Sequence, residues 1–268
     1  MILLSTESDN DSHGFATAEL SFAVAGRTLL HPLTLDVPPG RIVALLGKNG
    51  SGKSTLLKLL ARQTKPSAGS VRFGDRPLGD WSEREFARRV AYLPQETPSA
   101  TGLLVRELVS LGRYPWHGAL GRFTDNDRRK VEEAMALADV VSLAEREVDT
   151  LSGGELQRVW IAMLVAQDAR WLLLDEPISA LDIAHQLEVL GLLRRLARER
   201  GLGVFVVLHE VNMAARFCDR VIALKAGRLV ASEETEAFMA PKRLHDVYGV
   251  AMNVVRHPVS GAPVALAD

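Results

Sequence analysis

The chain has 268 residues, 47% apolar and 24% charged, which suits one large globular domain or two small ones. Thirty-two basic against 33 acidic side chains leave a net charge of −1, so no general attraction to polyanions follows and a nucleic-acid partner is disfavoured. A single cysteine, Cys218, excludes an intrachain disulfide and fits a reducing compartment, and no stretch approaches the roughly 18 consecutive apolar residues that span a bilayer.

The first residues, Met1-Ile2-Leu3-Leu4, are apolar only briefly, lack a basic flank and run into Ser5-Thr6-Glu7-Ser8, which is not a signal peptide. Residues 1–14 read as a solvated, disordered tail. In 15–46, short alternating runs such as Leu33, Leu35 and Val37, closed by Pro38-Pro39-Gly40, predict strands of an antiparallel layer. Arg41–Leu46 reads as a buried strand and Ser54–Ala61 as a helix start. Ser67-Ala68-Gly69 reads as a turn before a strand at 70–73. Ser82–Arg89 reads as a short helix with a capping box to Glu85, and Val90–Leu93 as a strand stopped by Pro94.

Helical spacing then takes over. Val105, Leu108, Val109 and Leu111 form one apolar face, Val131, Met135, Leu137, Ala138 and Val141 a second, and Glu155–Gln167 a third helix. Tyr114-Pro115-Trp116-His117 reads as an aromatic cluster on a loop. Buried strands return at 171–174 and 204–208, separated by a long helix over 183–200. A hairpin follows about Lys225-Ala226-Gly227, and from Glu236 two short helices and an extended segment complete the chain.

Residues 47–54, Gly47-Lys48-Asn49-Gly50-Ser51-Gly52-Lys53-Ser54, fit the spacing of a phosphate-binding loop between strand and helix. Gly50 and Gly52 admit backbone conformations that a Cβ forbids, and the freed N–H groups can face a polyphosphate from a helix N-terminus. Lys53 supplies positive charge to the outer phosphates, and Ser54 a hydroxyl for Mg²⁺. Asp175-Glu176 closes an apolar strand at the end that faces ligands in open α/β sheets; Asp175 is placed to hold Mg²⁺ through water and Glu176 to take a proton from attacking water. Ser152-Gly153-Gly154-Glu155 opens the third helix as a second anion site or as a plain N-cap.

Taken in order, the phosphate loop, Gln95, Leu151–Glu155, Leu174-Asp175-Glu176-Pro177, Ser179–Asp182 and His209 resemble the ATP-binding-cassette ATPases over about residues 15–232. The resemblance implies an α/β phosphate-loop NTPase core with an N-terminal antiparallel β layer and an inserted helical lobe. It implies a catalytic lobe of 15–96 and 166–232, a helical lobe of 97–165 and a C-terminal extension of 233–268. It also implies a homodimer in which Ser152, Gly153, Gly154 and Glu155 of one copy cover ATP held by residues 47–55, Thr55 included, of the other. In that family's assignments Ser54, Gln95 and Asp175 surround Mg²⁺, Glu176 polarises water, His209 contacts the γ-phosphate, Asp182 links the two sites, and Gln95 couples the lobe to a membrane partner.

Three positions depart from the pattern. Family members often stack an aromatic ring on adenine near position 24, where this chain has Val24, with Phe22 two residues back; an adenine stack and a weaker apolar contact by Val24 both stay open. Ile178 and Glu210 replace a usual threonine and aspartate, and neither change removes a catalytic group. Segments 105–109, 112–123, 161–168 and 180–186 are similar to ATPase subunits of bacterial iron-siderophore importers, the ferric hydroxamate type above all. That implies permease subunits at the cytoplasmic face of the inner membrane, fed by a periplasmic siderophore-binding protein, with the aromatic cluster as a docking element or as lobe packing. Haem and cobalamin importers share this architecture. A cassette serving DNA or ribosomes would show a long coiled coil, a second cassette or a basic surface, and an exporter cassette is often fused to its membrane domain.

Overall fold

The structure, a computed structural model, describes residues 14–118 and 121–267. Nearly all of the expected tail, and Ala119 and Leu120 of the aromatic segment, lie outside the described residues. The chain opens with a hairpin of β1 (Phe15–Val24) and β2 (Arg27–Val37), in which Phe15 faces Val37 and Val24 faces Arg27. β3 (Ile42–Leu46) leads into the glycine loop, and α1 (Lys53–Leu60) leaves it. β4 (Ala68–Phe73) and β5 (Arg76–Pro77) complete an antiparallel sheet of order β2-β1-β4-β5. β4 starts inside the segment read as a turn, because Ala68 pairs with Ser21 of β1. α2 (Glu83–Ala87) carries the expected capping box between Ser82 and Glu85.

β6 (Val90–Leu93) is followed by α3 (Val105–Leu111), α4 (Tyr114–His117), α5 (Asp125–Leu137) and α6 (Gly153–Ala166), and then by β7 (Trp171–Leu174). α7 (Ile183–Arg200), β8 (Gly203–Val207), α8 (Val211–Phe217), β9 (Arg220–Lys225) and β10 (Arg228–Glu234) follow, then α9 (Thr235–Phe238), α10 (Pro241–Tyr248), β11 (Met252–Arg256) and β12 (Pro263–Ala267). The central sheet has the order β10-β9-β3-β8-β7-β6; its five inner and lower strands run parallel, and β10 is the antiparallel edge.

The parallel strands are apolar throughout because both faces are covered. Ile42, Ala44, Leu172, Leu174, Val204 and Val206 point to one face, against α3, α5, α6 and α7. Val43, Leu45, Leu173, Phe205 and Val207 point to the other, against α1 and the antiparallel sheet. Ligand-facing strand ends, the glycine loop and the start of α1 thereby meet at the C-terminal end of the parallel strands.

Three expectations change. Tyr114–His117 is a helical turn rather than a loop. Arg84 of α2 and Arg88 at its C-cap both donate to the carbonyls of Pro115 and Trp116, and the Trp116 indole donates to Gln167 O at 2.7 Å, with the Arg88 and Arg113 guanidiniums both over its ring. Trp116 is thus packing, while Tyr114 stays 55% exposed. Val141, expected on a buried helical face, is exposed, because Asp139 takes a left-handed conformation (φ 56°) and ends the helical period after α5. The last extended segment is a two-stranded antiparallel pair, tied to α8 by Asn212, which exchanges hydrogen bonds with the backbone of Ala265.

Candidate nucleotide-binding and active site

All three glycines of the loop have positive φ: Gly47 147°, Gly50 75° and Gly52 99°. A Cβ on Gly47 would meet Ser51 Oγ at 2.5 Å as well as the Leu224 carbonyl, so the loop is packed against β9 as well as turned. Gly52 is the N-cap of α1 in left-handed conformation and supplies no side-chain cap. The first N–H groups of α1 therefore face outward without a side chain competing for them, which is what an anion site needs. Lys53 is 5% exposed, and its ammonium donates to Gly47 O (2.9 Å) and Lys48 O (3.3 Å). Burial lowers its pKa, against the opposing pull of Glu176 and Asp175.

The expected carboxylates sit at the end of β7. Asp175 is 1% exposed and accepts from Ser54 Oγ at 2.9 Å; its second oxygen, Oδ2, is buried without a hydrogen-bond partner. Burial raises its pKa. An orphaned buried carboxylate oxygen is costly, and together with the Ser54 hydroxyl it forms a hard-oxygen pair of the kind Mg²⁺ accepts beside phosphates and water. Glu176 adopts φ 52°, an uncommon left-handed conformation for a side-chain-bearing residue, and such outliers cluster at functional sites. Its two oxygens have separate partners: Oε1 lies 2.7 Å from His209 Nε2, and Oε2 accepts from Gln95 Nε2 at 2.8 Å. Gln95 follows β6 and His209 follows β8, so three neighbouring strands deliver three side chains to one point.

Ser152, Gly153, Gly154 and Glu155 are brought together elsewhere. Ser152 caps α6 by accepting the Glu155 N–H, and Glu155 accepts the Ser152 N–H at 2.8 Å. Donation to it from the Ser152 backbone N–H first, and then from the Ser152 hydroxyl, holds the Glu155 carboxyl below its ordinary value. Asp182 caps α7 by accepting from His185 N and lies 2.9 Å from His185 Nδ1. Among the described residues no hydrogen bond or ion pair joins Ser152–Glu155 or Asp182 to the loop, Asp175 or Glu176. Two site features escaped the sequence: the His185 ring lies against Gly154, and Gln186 holds the carbonyls of Leu181 (2.9 Å) and Ile178 (3.3 Å). Only the helical spacing from Asp182 could have hinted at the first. At the end of β1, Val24 is 51% exposed, whereas Phe22 packs onto the core beneath the antiparallel sheet.

The family model for ABC transporters matches residues 30–179, which takes in the loop, Gln95, the Ser152 turn and Asp175-Glu176 and amounts to more than half of the chain. The chain belongs to the ABC transporter family. Like the ABC ATPases it resembles, it binds nucleotide and hydrolyses ATP, and its α/β core with an antiparallel layer and helices inserted between β6 and β7 is theirs. The iron(3+)-hydroxamate import ATP-binding protein of Bacillus subtilis (strain 168) is 40% identical over 254 residues, covering 95% of this chain and 94% of the relative. The hemin import ATP-binding protein of Rhodococcus jostii (strain RHA1) is 40% identical over 241 residues, covering 90% and 82%. Among solved structures, an inward-facing ABC transporter of metal-chelate type superposes with a TM-score of 0.83 at 26% identity, covering 96% of this chain and 98% of that one. No helix among the described residues of this ABC ATPase is long and apolar enough to cross a membrane; ATP-binding subunits of importers act as dimers, peripheral to membrane permeases.

Proposed function

We propose that the chain is the energy-coupling ATPase of a bacterial iron(III)-siderophore importer of the ferric hydroxamate kind. It works as a homodimer under permease subunits at the cytoplasmic face of the inner membrane, fed by a periplasmic siderophore-binding protein. The observation that carries the catalytic part is the Gln95–Glu176–His209 arrangement, which orients a general base from both of its oxygens. The 40% identity to the hydroxamate relative along nearly the whole chain supports the cargo.

In this reading the backbone N–H groups of 48–55 and the Lys53 ammonium hold the phosphates, with Lys53 exchanging the loop carbonyls for phosphate oxygens. Ser54, Asp175 and the Gln95 amide oxygen hold Mg²⁺, whose charge when bound offsets that of the phosphates. Glu176 takes the proton from the attacking water, and His209 contacts the γ-phosphate. Ser152, Gly153, Gly154 and Glu155 of the second copy close the site over the phosphates, with Asp182 linking the two sites. Val24 offers adenine an apolar contact rather than a stack, since Phe22 is committed to the core. Residues 15–96 with 166–232 form the catalytic lobe, 97–165 the helical lobe and 233–268 the extension.

A second reading, a haem importer, has equal support in percentage identity. The test is uptake in a strain lacking the gene but retaining its permease. Restoring the chain is expected to restore uptake of radioactive ferric hydroxamate, and Glu176→Gln is expected not to. Restored uptake of hemin alone would replace the cargo; uptake restored equally by Glu176→Gln would remove Glu176 from its role.

A further inference from the structure

Two surface features separated by more than 25 residues in sequence, the Ser152–Gly154 turn and Asp182, face the second subunit in the reading above. Within one chain they meet through a single side chain. His185 lies in the first turn of α7, three residues after Asp182. Its Nδ1 sits 2.9 Å from Asp182 Oδ1, the same oxygen that accepts the His185 backbone N–H. The Asp182 carboxylate nonetheless stays 66% exposed, and the two bonds from His185, backbone first, hold its pKa down.

The other side of the ring carries α6. A Cβ built on Gly154 would fall 2.6 Å from His185 Cγ and 2.9 Å from Nε2, whereas one built on Gly153 would meet Leu181 Cδ2 at an ordinary 3.6 Å. Gly154 is therefore required to be glycine by the chain's own imidazole, and Gly153 is not. One turn further on, Arg158 of α6 pairs with Glu188 of α7 at 2.6 Å. Gln186 clamps the carbonyls of Ile178 and Leu181, the stretch joining Glu176 to Asp182. A flat ring with a hydrogen-bonding atom at its δ position serves both contacts at once: a thicker side chain would displace α6, and a purely apolar one would release Asp182.

We propose that His185 is a positioning residue for hydrolysis in the opposite site: it joins the Ser152–Gly154 turn and Asp182 into one rigid unit, so that a second copy of the chain meets both at a fixed spacing. The proposal rests on the dimer reading. Among the described residues no hydrogen bond or ion pair joins His185 to the phosphate loop or Glu176, so its loss acts on turnover and assembly and spares nucleotide capture by the subunit that carries the loop.

The test uses the purified full-length chain. His185→Ala is expected to lower kcat about ten- to a hundredfold, the range a displaced but intact contact surface produces, while the Kd for a fluorescent Mg-ATP analogue stays within about twofold. His185→Asn, whose amide can still donate to Asp182, is expected to recover part of kcat. Gly154→Ala is expected to be slow, and the double variant Gly154→Ala with His185→Ala to be several-fold faster than Gly154→Ala alone, because the clash has gone. A merely structural imidazole would lower the melting temperature without this split between kcat and affinity. Wild-type kcat in His185→Ala, or a double variant no faster than Gly154→Ala, overturns the proposal; if His185→Ala does not fold, His185→Asn and the double variant decide it. Glu176→Gln with Mg-ATP, followed by size-exclusion chromatography, separates the two levels. Absence of its dimer sinks the dimer reading itself. A Glu176→Gln dimer that His185→Ala leaves equally tight sinks only the role of His185.

Discussion

Two glycine-rich turns open helices in this molecule, and they are built in opposite ways. The turn before α1 has Gly52 as its cap, left-handed and without a side chain, and its one buried cation is bonded to backbone carbonyls that a phosphate can replace. The turn before α6 is capped by its own residues, Ser152 and Glu155, and its second glycine is filled from behind by His185. The first turn is an open acceptor for an anion. The second is internally satisfied and rigid, and only its outer surface is on offer. Two helix N-termini thus share a composition without sharing a function: one captures a ligand and the other presents a fixed face to it.

The comparison breaks most visibly at Glu176. Glu176→Gln is expected to slow turnover by about 10²–10⁴-fold, the worth of a positioned general base, with Mg-ATP affinity preserved; steady-state phosphate release and analogue titration measure both. Lys53→Ala is expected to do the reverse to capture, weakening Mg-ATP about a hundredfold through the loss of charge-assisted hydrogen bonds, as isothermal titration would read. On the side of the second turn the largest effect lies away from the surface. Arg113 and Asp127 form a buried ion pair at 2.9 Å, and Arg113 also donates to Ala166 O at the end of α6. Arg113→Ala strands the carboxylate and is expected to cost about 3–5 kcal/mol of stability in denaturant melts, while nucleotide affinity of the folded protein is kept.

The same pair makes a pH prediction. Burial pulls the Asp127 carboxyl upward, but the Thr124 hydroxyl and N–H and the Arg113 guanidinium outweigh it and bring the pKa down to about 2. A pKa depressed in the folded state contributes stability that is complete above the unfolded value near 4 and is lost as pH falls toward 2. The melting temperature of the wild type is therefore expected to fall more steeply across that window than that of Asp127→Asn. The smallest effect on stability is at Ser152→Ala, expected to cost about 1 kcal/mol in denaturant melts through loss of the cap.

Much of this was legible because it is local. An apolar run at 42–46, a capping box at Ser82–Glu85 and a helix from Ile183 to Arg200 depend on near neighbours, and each lies where the sequence put it. Lys53, Ser54, Gln95, Asp175, Glu176 and His209 were named from motif order; in the structure Ser54 bonds Asp175, Gln95 and His209 both meet Glu176, and Lys53 bonds the carbonyls of its own loop. What the sequence hid is non-local. Tyr114–His117 becomes a helical turn where two arginines 27–32 residues away hold its carbonyls. Val141 leaves the buried face because Asp139 turns left-handed, and His185 gains its place from a glycine on another helix. Phe22 and Val24, two residues apart, would share one face of a regular strand, but β1 shifts register between Phe22 and Ala23, and only burial tells which of them is exposed.

The central claim is that each chain carries half of two sites. The most direct test is the specific ATPase rate of the purified chain across a dilution series at saturating Mg-ATP. With half-sites shared between two chains, the rate per subunit is expected to fall on dilution and the total rate to approach the square of protein concentration at the low end. A rate per subunit that stays constant down to concentrations where ultracentrifugation finds only monomer would contradict it.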